Sequence, residues 1–385
     1  MLNINSPFRF GRIVSGTYFY DREEALERIT NTLTSGNNVT LYAPRRYGKS
    51  SLVHKALGVL EQQGYTCVYV DMMAVYSRET FVQSYAKAIA QKHNNRLKEF
   101  VQTVSRLVRG IVPALSFDAL GQPSFSLSWV QGMDPQTTLE DLINLPSTLS
   151  SAKQKWIVAF DEFQEITKLN GDNFENILRS CIQRHEHVSY LFLGSQTHIL
   201  KDMFHNKGRA FYHSSVSMTL PKISKEKSVA FLLEKFNGSG LTLHKELAEY
   251  IVDTAEGLVY YIQFVAFELW QMHKIAQEDT VTKSSIEQAI DNVLRMKADY
   301  YWELWGKQTS YRRKVLEALF YAPTEIYSAN TARAFGLNSA NTQSAFKYLL
   351  QDSIVEKIDN TYLFSDPFLK LFIKKYIVEK SARKY

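Results

Sequence analysis

One stretch, Tyr42-Ala43-Pro44-Arg45-Arg46-Tyr47-Gly48-Lys49-Ser50-Ser51, constrains the fold more than any other part of the chain. The apolar run Val39-Thr40-Leu41-Tyr42 leading into it predicts a short buried strand. The following segment, Ser51 to Leu60, spaces its apolar residues as a helix does. A loop between such a strand and helix that ends in Gly-Lys-Ser must turn sharply. Its successive N–H groups then face one anion, and the helix N-terminus adds its positive end. The segment Ala43 to Ser51 is therefore expected to cradle phosphates, with Lys49 reaching the β- and γ-phosphates and the Ser50 hydroxyl holding Mg²⁺. Ala43 stands where the pattern has its first glycine. A methyl is tolerable there if the residue stays in the β or bridge region, while Gly48 takes the more demanding turn. The bland alternative is a basic loop between a strand and a helix.

A second landmark is Trp156-Ile157-Val158-Ala159-Phe160-Asp161-Glu162, an apolar strand that delivers two carboxylates at its C-terminal end. Ligands of open α/β sheets bind at that edge. Asp161 is expected to bind the metal, usually through water, and Glu162 to polarise the attacking water. A strand ending in Asp-Glu is common by chance, so alone the pair reads more readily as a solvated strand end; the phosphate loop upstream is what favours the catalytic reading. The segment Ser189 to Thr197 reads as a further strand ending in a polar cluster, in which Ser195 or Gln196 would offer a polar group to a γ-phosphate or serve as a turn and helix cap. Arg209, on the loop Gly208-Arg209-Ala210, reads as a charge sensor, a finger acting in trans, or a surface arginine.

These motifs sit in an alternation of strand and helix, which implies a parallel sheet covered on both faces. The spacing predicts a helix over Leu26–Leu33, capped by Asp21 with Glu24 at the capping-box position, and a second strand over Tyr65–Asp71. A long helical region over Glu79–Arg109 precedes an inserted hairpin, 114–129, that turns at Gly121. From Leu220 strands cease, and amphipathic helices follow over Ser224–Phe236, Lys245–Ala255, Tyr260–Ala276 and Ser284–Met296, with a last one running to Trp305. The end of the chain offers three short helices and a hairpin with Asp359-Asn360 at its turn, the pattern of a winged helix-turn-helix. The expected fold is thus α/β: a parallel-sheet P-loop core over 1–219, a helical lid over 220–308 and a C-terminal winged helix over 309–385. Asn341, Gln343, Ser344 and Lys347 would lie on the exposed face of its recognition-type helix.

Composition decides a few points. Hydrophobic content of 45% and charged content of 22% are ordinary for a soluble globular chain. Cys67 and Cys181 fall in expected buried segments, which suggests a reducing compartment without disulfides. The N-terminus has no secretory pattern. The longest apolar stretch, Val259 to Trp270, is too short for a bilayer and is interrupted by Gln263 and Glu268. A cytoplasmic protein without membrane contact is expected. Net charge is +6, and from Tyr311 onward twelve Lys or Arg face seven acids. A basic terminal unit suits DNA, but winged helices also dock proteins, and both partners stay open.

The motifs together resemble the archaeal-type ATPases, a P-loop clade of the AAA+/STAND group. Phe19-Tyr20-Asp21-Arg22-Glu23 resembles the box that precedes the P-loop near adenine, and Ala43 to Leu52 resembles the family's A/G-P-R-R-x-G-K-[ST]-S-L loop. Phe160 to Gln164 resembles its Walker B segment, Gly194-Ser195 its sensor strand and Gly208-Arg209 its Y-G-R loop. Gly257 to Gln263 resembles its lid motif and Asp366-Pro367-Phe368 its winged-helix end. Asp21 and Val259 stand where the family usually has glycine and proline. The resemblance implies ATP and Mg²⁺ as ligands, with Tyr20 and Arg22 near the nucleotide. It also implies a switch in which slow hydrolysis moves the lid and winged helix. The alternative is a nucleotide-clamped module whose winged helix docks a partner with little hydrolysis. Action of Arg45, Arg46 or Arg209 in trans would require a nucleotide-dependent homo-oligomer.

Overall fold

The computed structural model describes residues 6–92, 97–117, 123–130, 132–169, 172–358 and 361–379. The chain forms two compact units. The first comprises Arg22–Pro44 and Lys49–Pro221; the second comprises the residues up to Asp21, the segment Arg45–Gly48 and everything from Lys222 onward.

The first unit runs α1 (Glu23–Thr34), β1 (Val39–Tyr42), α2 (Lys49–Gln62), β2 (Thr66–Asp71), α3 (Arg78–Ala90), α4 (Leu97–Leu107), β3 (Ile111–Phe117), β4 (Pro123–Trp129), α5 (Pro135–Leu149), β5 (Trp156–Asp161), α6 (Asp172–Ile182), β6 (Val188–Gly194), α7 (Thr197–His205) and β7 (Val216–Thr219). Five strands form one parallel sheet in the order β2-β5-β6-β1-β7. Every residue of β1, β5 and β6 is buried, as a sheet covered on both faces requires. Aromatic side chains fill much of the core around it. Phe160 of β5 lies parallel to Tyr190 and Phe192 of β6, at 6.3 and 6.1 Å, and Phe163, Phe204 and Phe211 close over Phe192.

Three expectations change. The helical region after β2 is two helices, α3 and α4. β7 was not anticipated, because it is four residues long and buries only Met218. The start of α1 is not capped by Asp21; its N-cap is Arg22, in the left-handed region and without a side-chain capping bond. Asp21 itself has φ of 59°, which explains why glycine suits that place and why aspartate is one of the few substitutes that tolerate it. The hairpin β3–β4 is an isolated two-stranded sheet, as expected. Its turn at Gly121 lies outside the described residues, as does the Asp359-Asn360 turn.

The second unit contains α8 (Lys225–Gly238), α9 (Lys245–Thr254), α10 (Val259–Ala276), α11 (Lys283–Met296), α12 (Ala298–Gly306), α13 (Ser310–Tyr321), α14 (Ala329–Phe335), α15 (Ser339–Gln351), the antiparallel pair β8 (Val355–Ile358) and β9 (Thr361–Phe364), and α16 (Pro367–Phe372). Within it Phe8 packs on Phe236 and Phe10 stacks on Phe264 at 4.0 Å. α10 is the unit's central helix, burying Tyr261, Phe264, Leu269 and Trp270 on several sides. Val259 is its first residue, the position that favours proline, so the departure from the family's usual residue leaves the helix start intact. Among the described residues no helix is long and apolar enough to cross a membrane.

Candidate phosphate-binding and catalytic site

Within the first unit, the parallel strands β1, β5 and β6 end on the same sheet edge. α2 begins there with Lys49, whose side chain is 6% exposed. Its Nζ lies 3.3 Å from Glu162 Oε1 and 3.6 Å from Asp161 Oδ1. Ser50 Oγ donates to Asp161 Oδ2 at 2.8 Å. The lysine, the hydroxyl and the two acids therefore form one cluster, although more than a hundred residues of chain separate them.

Each carboxylate is fixed on both oxygens. Asp161 Oδ1 accepts from the Glu162 amide at 2.8 Å, and Oδ2 accepts from Ser50 and from the Tyr69 hydroxyl at 2.6 Å. Glu162 has φ of 51°, a left-handed conformation that turns its side chain off the strand line. Its Oε2 accepts from Gln164 Nε2 at 2.6 Å, from Ser195 Oγ at 2.8 Å and from the Ser195 amide at 3.0 Å. Burial pushes the Glu162 carboxyl up, but Lys49 and the donors from Gln164 and Ser195 outweigh it, so it lies below the usual carboxylate range and is ionised at neutral pH. Burial and the adjacent Asp161 push the Tyr69 phenol well above its ordinary value, so it stays a donor.

The donor set suits Mg²⁺. A hydroxyl and a carboxylate sit side by side, all oxygen, and Mg²⁺ is held by one or two carboxylates together with phosphates and water. Among the described residues no group of three or more His, Cys, Asp or Glu could hold a metal ion by itself.

Over residues 19–265 the sequence matches a family described as an ATPase domain predominantly from Archaea. The chain belongs to that family. Residues 299–375 of this ATPase match a probable winged helix domain. No protein of curated function matches its sequence. Among solved structures, it resembles a Walker-type ATPase of Pyrococcus abyssi at TM-score 0.62 and 16% identity, covering 93% of this chain and 96% of the other. The ORC2 protein of Aeropyrum pernix, in ADPNP and ADP complexes, matches at 0.57 and 14% identity, over 97% and 99% of the two chains. The ORC1 protein of Aeropyrum pernix, in complex with DNA, matches at 0.53 and 15% identity, over 98% and 100%.

The remaining expected site residues of the ATPase fall in several places. Ala43 is buried, keeps a negative φ and donates its amide to Gly194 O at 3.4 Å, while Gly48 takes the left-handed turn at φ of 84°. Pro44 is half-buried, Tyr47 and Ser51 are buried, and Arg45 is exposed. Of the pair after β6, Ser195 faces Glu162, whereas Gln196 is the N-cap of α7. Arg22 is 8% exposed. Within the second unit, Tyr20 stacks on Phe231 at 4.0 Å and Arg46 pairs with Asp366 at 2.7 Å. The Arg209 guanidinium is paired with Glu175 and with Asp202.

Two residues that sequence reasoning missed touch the acids directly, Tyr69 and Gln164. Gln164 lies two places after Glu162 and is 2% exposed, and nothing in the local sequence marked it out. Gly194 belongs to the same arrangement. A Cβ added there would overlap Gln164 Oε1 and come within 3.0 Å of Leu200 Cδ2.

Proposed function

We propose that the protein is a cytoplasmic, Mg²⁺-dependent ATPase of the STAND/AAA+ type that hydrolyses slowly and acts as a switch. The single observation that carries this reading is the convergence of Lys49, Asp161 and Glu162 at one sheet edge, at 3.3 and 3.6 Å. The loop Ala43 to Ser51 binds the triphosphate through its amides, and Lys49 offsets charge on the β- and γ-phosphates. Ser50 and Asp161 hold Mg²⁺, which when bound neutralises charge on the phosphoryl oxygens. Glu162 stays ionised and orients the attacking water through Oε1, since Oε2 is taken by Ser195 and Gln164. Tyr20 and Arg22 belong on the base side of the nucleotide. Nucleotide state then biases the position of the helical lid, 220–308, and the winged helix, 309–385. Arg209 would have to leave Glu175 and Asp202 to act in trans, within a nucleotide-dependent homo-oligomer.

Two variants test this reading. Glu162→Gln is expected to keep ATP binding and to lose turnover, whereas Lys49→Ala loses both. Normal turnover by the Glu162→Gln protein would overturn the assignment of the base.

A second reading, a nucleotide-clamped module that docks DNA, is favoured by the exposed face of α15. Asn341, Gln343, Ser344, Lys347 and Tyr348 are all exposed there, and the Arg312 guanidinium covers the Tyr348 ring at 4.2 Å. Arg313 is a weaker candidate for DNA because it donates to the carbonyls of Trp305 and Gly306 at the end of α12. Duplex affinity that falls steeply with salt and depends on Lys347 and Arg312 would support this reading; salt-insensitive or absent duplex binding would exclude it and leave a protein partner.

A further inference from the structure

The Tyr69 hydroxyl has a place in the cluster that the phosphate-loop chemistry does not account for. β2 pairs with β5 in parallel register, with Tyr69 opposite Ala159 and Asp71 opposite Asp161. Side chains two apart on a strand share a face, so Tyr69 and Asp161 are diagonal neighbours on adjacent strands. Ala159, directly across, is too small to block the ring, which leans along the sheet toward the edge. The phenol oxygen ends 2.6 Å from Asp161 Oδ2, shorter than the 2.8 Å bond from Ser50 to the same oxygen. The His54 ring backs Tyr69 with 4.4 Å between centroids, on α2 one turn beyond Ser50.

We propose that Tyr69 is the positioning residue of the metal site: its hydroxyl fixes the plane of the Asp161 carboxylate so that a lone pair is aimed at the Mg²⁺ shell. The inference rests on the ATPase reading above. Asp161 Oδ1 is anchored by the Glu162 amide, and a second anchor on Oδ2 removes the remaining rotation about the terminal torsion of the side chain. Ser50 cannot supply that anchor alone, because its oxygen is itself a proposed metal ligand and its hydrogen bond moves with the metal. Tyr69 sits on a sheet strand, a rigid element, and its position does not depend on what occupies the phosphate loop. Partners of metal ligands typically change metal affinity by about 10–100-fold when removed.

The test is a Mg²⁺ titration of the full-length protein binding a fluorescent ATP analogue, with a parallel titration of the analogue in EDTA. For Tyr69→Phe the Mg²⁺ concentration at half-saturation is expected to rise about tenfold or more, while analogue affinity in EDTA stays at the wild-type value. A merely structural tyrosine would lower both together or neither. In an Asp161→Asn background, Tyr69→Phe should add no further loss. Tyr69→Leu, which also deletes the hydroxyl, gives the same shift if the phenylalanine variant folds poorly. Wild-type Mg²⁺ dependence in Tyr69→Phe would overturn the positioning role and leave the ATPase reading standing. Nucleotide binding by the wild type that ignores Mg²⁺ would overturn both.

Discussion

Arg46, in the loop between β1 and α2, and Asp366, at the start of α16, form an ion pair of 2.7 Å. Arg46 adopts φ of 71°, a conformation that ordinary residues avoid, and its guanidinium lies 5.1 Å from the centre of the Tyr261 ring. Asp366 is used completely. Its Oδ1 caps α16 through the amides of Phe368 and Leu369, and its Oδ2 accepts from Arg46 and from the Tyr301 hydroxyl at 3.1 Å. Lys297 faces the same carboxylate, and burial lowers its pKa.

Asp366 should therefore be the costlier half of the pair to lose. Asp366→Ala uncaps α16 and takes from Arg46 its carboxylate partner and from the Tyr301 hydroxyl its acceptor, leaving that hydroxyl only its bond to Tyr261, a loss of about 3 kcal/mol or more. Arg46→Ala leaves the carboxylate with its cap amides and Tyr301 and should cost about 1 kcal/mol. Thermal unfolding of the full chain measures the difference, and equal midpoints for the two variants would contradict this ranking.

Gly194→Ala should damage catalysis without touching any phosphate contact. The added methyl displaces Gln164, which then loses its 2.6 Å bond to Glu162. Small misplacements of a catalytic group cost up to about a hundredfold in rate. Turnover is expected to fall by about tenfold or more with ATP affinity retained, and Gln164→Leu should reproduce the loss. Steady-state rates beside equilibrium binding decide it.

Acid should weaken the first unit through His185. Its ring is held by the Tyr190 hydroxyl at 2.7 Å and Asn144 at 2.9 Å, and burial, with a smaller push from Arg184, lowers its pKa to about 4. The unfolded chain takes up that proton near the ordinary histidine value of about 6.5. Between these values the unfolded state binds more protons, so stability falls as pH drops from about 6.5 towards 4 and loses no more from this group below that. Unfolding midpoints over this window should slope less in His185→Gln than in the wild type.

Much of this was written locally in the chain. The strand, loop and helix around Gly48-Lys49-Ser50 follow from a few adjacent residues, because hydrophobic spacing and a glycine at φ of 84° act over single turns of backbone. The same holds for the apolar strand that ends in Asp161-Glu162 and for the caps that start α5 and α15. The order of strands was not local. Setting β2 and β6 on either side of β5 is what brings Tyr69 to Asp161 and Ser195 to Glu162, and nothing within any of these strands encodes its neighbour. Arg46 illustrates the limit most directly. By sequence it belongs to the expected phosphate loop, yet in the folded chain its guanidinium makes a charge-assisted pair with Asp366, a partner more than three hundred residues away in the sequence. Sequence alone pointed to the residues expected to bind phosphate; tertiary structure decided which side chains surround them, since hydrogen bonds between distant segments exist only once the sheet has been assembled.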